Sequence, residues 1–366
     1  MRIGSSRQTS QANVPLRQGA PRDSNDPHIK LDVGRIQWTD LMPLRAIRQR
    51  YVLDQPGHRL SSGQPFQIGL KQLLPLTGSN CRVFVARVER QPVGYAVFSV
   101  VNPDRRWVLG GIGANLGVYE MQPVWEELVH FGVVAAGLEG TKRLYARAPA
   151  ESDLTPVLRA NGFAPYADEI VLGASALSLN LATTSRVRRQ HRSDVWAIHQ
   201  LYMATVPQPV QYAEAHTSHH WDINSRFSPS SLQQGWVIEE GYQVVAYLHA
   251  ESRPDSHVLE FVIDPRHGEL FPQLIAGALA DLARLAPRRV YVVARGDQRE
   301  FVDSIQERGL SVQFEQRLHV KYTTAVARSP AATVINFPQE VKETGGKRVP
   351  TFLNGSSGDP ASESSQ

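Results

Sequence analysis

Two stretches of the chain repeat one pattern about 146 residues apart. The first is RLYARAPAESDLTPVLRANGFAPYADEIVL, from Arg143 to Leu172, and the second is RVYVVARGDQREFVDSIQERGLSVQFEQRLHV, from Arg289 to Val320. In each, a strand of alternating apolar residues is followed by a short helix, a glycine and a second strand. The two glycines stand where the helix ends, a position that favours positive φ.

The agreement extends upstream of both stretches. An amphipathic helix with apolar spacing near 3.6 precedes each repeated strand, at residues 124–138 and 271–285. Hairpin-like strands precede each of these helices, and a strand leading into a first helix precedes the hairpins. We predict Asp40 as the N-cap of the first helix in one half, and Ser193 or Asp194 in the other. Because the order of seven elements is the same in both halves, the pattern indicates a duplication.

The duplication predicts an α/β fold of the α+β type, built from tandem domains in which helices flank a twisted, mostly antiparallel sheet. We place the first domain at residues 33–182 and the second at residues 185–326. Residues 1–32 are polar and lack the apolar segment of a secretory signal, so we predict a disordered leader. Residues 329–366 are polar with Gly and Pro, which predicts a disordered tail.

Composition narrows the classes of function. The chain is 42% hydrophobic and 20% charged, and no run approaches the ~20 apolar residues of a membrane-spanning helix. Cys81 is the single cysteine, which excludes an intrachain disulfide and a four-cysteine zinc site. We therefore expect a cytoplasmic protein without a membrane partner. A net charge of +4 suits an anionic small molecule, but it is far from the basic stripe of a nucleic-acid-binding protein.

The order of elements and the ends of the two repeats resemble the GNAT superfamily of acetyl-CoA-dependent N-acetyltransferases. The stretches that carry this resemblance are RLYARA…VLRANGF and RVYVVA…SIQERGL, and the likeness covers residues 33–181 and 185–324. It implies a GNAT-like N-acetyltransferase that moves an acetyl group from acetyl-CoA to the amine of a small molecule or peptide. We expect the second domain to be the active one.

This chemistry has three requirements. The pyrophosphate of coenzyme A needs backbone N–H donors at a glycine-rich turn that enters a helix. The amine needs a base within reach, and the leaving thiolate gains from a proton donor. The resemblance implies that Glu260, on the strand of HVLEFVIDPRHGELFPQLIAGAL, is the general base. A solvent-facing strand residue is the alternative interpretation of Glu260.

The turn after that strand departs from the family's pattern. The cofactor-binding residues that the resemblance implies there are Ile263, Arg266, His267, Gly268, Glu269 and Leu270. Leu270 and Pro272 stand at two glycine positions, so we expect a side chain to intrude and one N–H donor to be lost. Glu269 adds a negative charge beside a dianion. Pro272 is also a suitable first-turn residue for the helix.

The first half departs further from the pattern. In WVLGGIGANLGVYEMQPVWEELV the glycines precede the helix by several residues, and Glu126 and Glu127 at its start would repel a pyrophosphate. The residues four before the terminal glycines are Leu158 and Ile305, and neither can donate a proton. The alternative to an active second domain is therefore a protein in which both sites have decayed. Such a protein would be a ligand-binding or protein-interaction module.

Three further features have ordinary explanations. The segment HTSHHW, residues 216–221, clusters three histidines without a fourth ligand at recognisable spacing, which favours a polar loop, and we predict no metal site. The basic residues 186–192 are predicted to solvate an edge strand. Cys81 is predicted to be a structural thiol. The resemblance also implies acceptor recognition by residues 51–78 and 205–227, where aromatic residues such as Trp221 could line a pocket or pack the loop.

Overall fold

The computed structural model describes residues 31–47, 49–52, 81–101, 106–115, 121–174, 186–223, 232–285 and 288–323, with single positions at 69, 70 and 73. The predicted tail, and the leader up to residue 30, lie outside these ranges. The strands are β1 Asp32–Arg35, β2 Gln49–Val52, β3 Cys81–Val88, β4 Gln91–Val101, β5 Arg106–Ala114, β6 Arg143–Pro149, β7 Ala164–Ala174, β8 Arg188–Arg189, β9 Leu232–Glu240, β10 Gln243–Ser252, β11 Ser256–Ile263, β12 Arg289–Arg295 and β13 Ser311–Tyr322.

The helices alternate with these strands. Those with bounds inside the described ranges are α1 Leu41–Leu44, α2 Met121–Leu138, α3 Leu154–Ala160, α4 Val195–Thr205, α5 Gln208–Glu214, α6 Phe271–Leu282 and α7 Val302–Gln306. Short 3-10 turns lie at Trp38–Asp40, Arg192–Asp194, Ser218–Trp221, Pro265–Leu270 and Gly296–Phe301. No helix in the described part of the chain has both the length and the apolarity needed to cross a membrane.

The described strands form one sheet in which the two halves exchange their last strands. The order is β1-β3-β4-β5-β6-β13-β7-β12-β11-β10-β9-β8, and β2 pairs with β5 off this path. Strand β13 of the second half pairs with β6, and strand β7 of the first half pairs with β12. Strands β7 and β13 also pair with each other. The fold class predicted from the repeat is confirmed, and the two halves share the middle of the sheet.

Helices cover both faces of the sheet. Side chains alternate between the two faces along each strand, so one strand can contribute to the clusters on both faces. On one face, α2 packs on Phe84, Phe98 and Trp107 of the first half. On the same face, α6 packs on the second half around residues such as Leu248. On the opposite face, α4 and α5 pack on β9, β10 and β11 through a separate cluster that includes Tyr202. This second face carries the candidate site.

The duplication recurs in atomic detail where the first helix of each half begins. Asp40 and Asp194 each accept a hydrogen bond of 2.7 Å from the backbone N–H three residues earlier. Arg87 donates to both oxygens of Asp40 at 2.9 and 2.5 Å, and Arg188 donates to both oxygens of Asp194 at 2.7 and 2.9 Å. Both aspartates stand at the predicted N-cap positions. Their carboxylates make no capping bond to their own helices, because they point back to the 3-10 turn and the arginine.

The glycines that end the repeated helices have the predicted left-handed backbone. The φ angle is 75° at Gly162 and 83° at Gly309. A Cβ at Gly162 would also lie 2.5 Å from Nζ of Lys321. These positions therefore need glycine for its backbone freedom, as the sequence pattern indicated.

Two glycines of α2 should respond in opposite directions to the same substitution. A Cβ at Gly132 would lie 2.3 Å from two ring atoms of Phe98, whereas a Cβ at Gly137 would meet nothing within 4 Å. We expect Gly132→Ala to lower the free energy of unfolding by about 1–3 kcal/mol through overpacking. Gly137→Ala should raise it by about 0.5–1 kcal/mol, because alanine restricts the unfolded chain. Urea denaturation of the two variants measures both, and equal effects would contradict this packing of α2.

Candidate functional site

Glu260 lies where two parallel strands separate. Residues 256–260 of β11 pair with residues 289–293 of β12, and the pairing stops there. Just beyond, Nε2 of Gln298 donates to the carbonyl oxygen of Phe261 at 2.8 Å. The side chain of Glu260 is exposed on this strand. A carboxylate is thus presented at the mouth of a gap between two strands.

A cavity of about 780 Å³ opens on the face of the sheet that carries Glu260. It spans the middle of the sheet from β5 and β6 to β10 and β11, and α4, α5 and the turn at Ser218–Trp221 contribute to its wall. The first half supplies Arg106, Tyr145, Arg147, Tyr166 and Glu169, and the second supplies Tyr202, Glu214, His216, Trp221, Tyr247, His249, Glu251, Glu260 and Arg295. This size is typical of a small-molecule site.

Glu214, the last residue of α5, joins several elements of the second half. It accepts a hydrogen bond from the hydroxyl of Tyr202 at 2.7 Å and lies 3.3 Å from Nη1 of Arg295. Nε2 of His216 is also 3.3 Å away. Burial alone would raise the pKa of Glu214. The hydrogen bond from His216 and the charge of Arg295 outweigh burial and lower this pKa to about 2.

Two side chains of the first half bind the end of α5. Arg106 donates to the carbonyl oxygen of Ala215 at 3.0 Å, and its Nη1 lies 3.3 Å from Nδ1 of His216. Tyr145 donates to the carbonyl oxygen of Ala213 at 2.8 Å. Because a guanidinium only donates, Nδ1 of His216 is an acceptor and the ring carries its proton on Nε2. These bonds satisfy carbonyl groups at a helix C-terminus, where cations are also favoured.

Arg147 connects the first half to the carboxylates of the cavity. Its Nε lies 3.2 Å from Glu169, which also accepts from Gln316 at 2.7 Å. Burial would lower the pKa of Arg147, but the charges of Glu169 and then of Glu260 raise it above its usual value. Arg147 of the first half and Glu260 of the second therefore interact electrostatically.

Two tyrosines of the first half keep their hydroxyl protons. Burial raises the pKa of Tyr145 to about 12. Burial, followed by the charge of Glu214, raises the pKa of Tyr166 well above its usual value. Tyr166 belongs to β7, whose Glu169 stands opposite Arg295 at the end of β12. Both hydroxyls remain hydrogen-bond donors across the neutral pH range.

The predicted phosphate-binding segment forms the 3-10 turn ahead of α6. Asp264 accepts from the backbone N–H of Arg266 at 3.0 Å and pairs with its guanidinium at 2.6 Å. Nδ1 of His267 lies 3.3 Å from a carboxylate oxygen of Glu240. The side chain of Arg266 is 83% exposed, so its ion pair with Asp264 lies at the surface of the turn.

The remaining predicted residues of the turn divide between core and surface. Ile263 and Leu270 are buried in the core against α6. The expected intrusion of Leu270 is therefore wrong, because its side chain points into the core. Glu269 is exposed. A Cβ at Gly268 would meet only ring atoms of Phe301, the nearer at 3.5 Å, and Gly268 is half-buried, so part of its backbone is accessible.

The equivalent gap in the first half is occupied by the chain itself. Strand β5 pairs with β6 only from Trp107 to Leu109. Beyond that point β2 pairs with Gly111–Ala114 of β5. The glycines at 110, 111 and 113 thus lie in a strand. Leu158 and Ile305, at the positions where the family resemblance implies a proton donor, are both fully buried in the cores.

The other sequence candidates also have defined places. His216 and His220 stack with ring centroids 3.5 Å apart, and Trp221 beside them is buried, so the predicted polar loop is a wall of the cavity. Within the described ranges, no group of three or more His, Cys, Asp or Glu residues is arranged to hold a metal ion. Cys81 is partly buried. Arg188 and Arg189 form β8 at the edge of the sheet, as predicted.

Sequence reasoning missed the residues that the first half contributes. Arg143, Tyr145 and Arg147 alternate with buried Leu144 and Ala146 in β6. That period-2 polar pattern on a central strand was the available signal, because a strand with helices on both faces is normally apolar throughout.

Comparison with known proteins identifies the type of fold that this chain adopts. No protein-family model and no curated protein matches the sequence. Among solved structures, the chain is similar to a GCN5-related N-acetyltransferase from Sphaerobacter thermophilus, with 11% identity over 81% of this chain and 96% of that chain and a TM-score of 0.50. It is also similar to a tandem GNAT protein from the clavulanic acid biosynthesis pathway, with 12% identity over 80% and 98% of the two chains and a TM-score of 0.49. The chain has a GNAT-like fold.

The Glu214 network should make stability depend on pH. Because the folded-state pKa lies below its ordinary value of 4.5, the ionised carboxylate stabilises the fold above pH 4.5. That contribution, about 3 kcal/mol, should be lost as pH falls from 4.5 towards 2. Glu214→Gln should lower the free energy of unfolding at pH 7 by about 2–4 kcal/mol, since it removes one of the two carboxylates paired with the buried Arg295. It should also remove most of the loss of stability between pH 4.5 and pH 2, which is the acid limb of the stability profile.

The same substitution at an exposed glutamate is the control. Glu315→Gln on β13 should change neither the stability at pH 7 nor the acid limb by more than about 0.5 kcal/mol. Urea titrations between pH 2 and 7 measure all three proteins. A Glu214→Gln variant as stable as the wild type would contradict the network.

Proposed function

We propose that the protein is an N-acetyltransferase that transfers an acetyl group from acetyl-CoA to a primary amine of a small molecule or peptide, with the second half carrying the reaction. The observation that carries the proposal is the position of Glu260, exposed to the cavity where β11 and β12 separate. A separated pair of strands offers backbone groups to an extended ligand, and the carboxylate beside it can accept a proton.

The acyl donor would enter through the gap beyond Glu260. Backbone groups alternate sides along a strand, so the backbone of Ile263 faces the same gap as the carbonyl of Phe261. The pyrophosphate would lie at the turn ahead of α6, where Gly268 leaves the backbone accessible and Arg266 is exposed. Helix N-termini favour anions. Glu269 opposes this placement, so affinity should depend on the backbone and on Arg266.

The acceptor amine would occupy the cavity between the halves. Glu260 would remove its proton, and the free amine would attack the thioester carbonyl, so that a C–N bond forms as the C–S bond breaks. The thiolate then needs a hydrogen-bond donor, which the buried Leu158 and Ile305 cannot supply. Tyr166 holds its proton and lies on the strand beside β12, which supports it in this role. The first half would thus serve the reaction without binding a cofactor.

Calorimetric titration with acetyl-CoA tests the cofactor site. We expect micromolar binding by the wild type and at least a tenfold loss in Gly268→Asp, because the new charge faces the pyrophosphate. Gly137→Asp on α2 is the matched control, since a Cβ there meets nothing within 4 Å, and it should bind normally. Melting temperatures of both variants verify folding. If the folded wild type does not bind acetyl-CoA, the proposal fails.

Acetyl transfer to a panel of primary amines tests the base. Glu260→Gln should lower kcat about 10²-fold or more, as expected when a general base is removed. Glu307→Gln, at an exposed position after α7, should keep wild-type kcat. Full turnover by Glu260→Gln with an amine that the wild type acetylates would exclude Glu260 as the base.

A ligand-binding module is the second candidate. It is favoured because groups of the chain itself occupy the gap between the parallel strands in each half. In the first half β2 pairs with β5, and in the second half Gln298 donates a hydrogen bond to the carbonyl oxygen of Phe261. Rings of Phe261, Phe271 and Phe301, with centroids 4.7 to 5.7 Å apart, pack beside the second gap. Absence of acetyl-CoA binding would leave the shared cavity as a site for another ligand.

A further inference from the structure

A second proton acceptor stands directly opposite Glu260. In the antiparallel pairing of β10 with β11, His249 is the cross-strand partner of Glu260. Opposite residues in such a pair have Cβ atoms about 4.5–5.5 Å apart and point to the same face. Both side chains line the cavity, and His249 is half-buried there. The carboxylate and the imidazole are therefore neighbours on one wall.

The hydrogen bond of His249 on its other side fixes its tautomer. Nε2 lies 2.6 Å from Oε1 of Gln233 on β9. An amide oxygen only accepts, so the neutral ring carries its proton on Nε2. Nδ1 is then the basic nitrogen of the ring. Gln233 also lines the cavity, so three adjacent strands contribute to this wall.

An imidazole suits the proton transfer better than a carboxylate does. A general base works best when its pKa is near the operating pH. The ordinary pKa of histidine is about 6.5 and that of glutamate about 4.3. A carboxylate beside an imidazole favours the imidazolium form. We infer that His249, in place of Glu260, is the catalytic residue that accepts the amine proton on Nδ1. Glu260 then stabilises the resulting imidazolium, so its loss still lowers the rate. The inference rests on the proposed N-acetyltransferase function.

Other charged and titratable groups also line the cavity that contains His249. Glu251 follows on the same face of β10 and is bound by Arg253 at 3.0 Å. The arginines of the lining are Arg106 on β5, Arg147 on β6 and Arg295 on β12. The other titratable groups of the lining are Glu169 on β7, Glu214 on α5, the histidines at 216, 219 and 220, and the hydroxyls of Tyr145, Tyr166, Tyr202 and Tyr247. Glu260 is the carboxylate in direct cross-strand register with His249.

The reaction balances with this pair. The ammonium group gives one proton to Nδ1 of His249, and the free amine attacks the thioester carbonyl. As the C–N bond forms and the C–S bond breaks, the nitrogen loses a second proton, which the thiolate of coenzyme A takes up. His249 then returns its proton to solvent. The products are the amide, the free thiol of coenzyme A and one released proton.

Proton NMR titration of the histidines in the intact chain tests the coupling without turnover. The signal of His249 is identified by its loss in His249→Gln. In Glu260→Gln its pKa should fall by about one unit, because the carboxylate no longer stabilises the charged ring. An unchanged pKa would overturn the pairing.

The pH dependence of kcat/KM tests the role in catalysis. The acid limb of the wild-type profile should have the pKa that NMR measures for His249. His249→Gln should lose this limb and about 10²-fold in kcat/KM, because the amide cannot accept the proton. His130→Gln, at an exposed position on α2, should retain both. A His249→Gln profile that keeps the limb would overturn the inference.

The two experiments together separate this inference from the proposed function. Coupling by NMR with no acetyl transfer to any amine overturns the proposed function, and with it the catalytic role of His249. Acetyl transfer that depends on Glu260, without coupling, overturns the pair and leaves the proposed function standing.

Discussion

The antiparallel pairing of β7 with β13 is the interaction on which the molecule depends. It places the last strand of each half beside the penultimate strand of the other half, so the sheet continues from one half into the next. Backbone hydrogen bonds of a sheet are satisfied only by the neighbouring strand, and these two strands are therefore obligatory partners. The cavity lies over this junction, and for that reason its lining comes from both halves.

Electrostatic contacts hold the cavity wall in place above the junction. Arg106 and Tyr145 of the first half bind the end of α5, and Glu214 connects that end to Arg295 on β12. In an interior of low dielectric constant, such fully bonded networks are rigid, and removing one member leaves another unsatisfied. The two halves contribute different groups to the cavity. The second half supplies Glu260 where its parallel strands separate, and the first half supplies charged and aromatic side chains.

The sequence predicted the fold better than the site. The elements of each half and the left-handed glycines at 162 and 309 follow from local patterns, which period and turn chemistry determine. Glu260 could be placed on a strand for the same reason. The exchange of β7 and β13 could not be predicted, because a strand's hydrophobic pattern does not specify which of two equivalent neighbours it will join. Without that exchange, Tyr145, Arg147 and Tyr166 have no visible relation to Glu260.

Leu270 shows the same limit at the scale of one residue. Read as a position in a glycine motif, it predicted a steric block at the phosphate turn. In the structure this side chain is buried in the core against α6, and neighbouring residues such as Arg266 and Glu269 form the surface of the turn. The identity of a residue at a motif position does not give the direction of its side chain.

The exchanged strands also set an order of events during synthesis. Contacts across the junction join residues far apart in sequence, such as Asp168 and Arg317, which are 149 positions apart. When the first half leaves the ribosome, β7 has neither of its sheet neighbours, and β6 lacks one of its own. Both must wait until β12 and β13 have been translated. A chain that ends before β13 therefore exposes unpaired strand edges, which are sites of aggregation, and the sheet can close as described only once β13 is present.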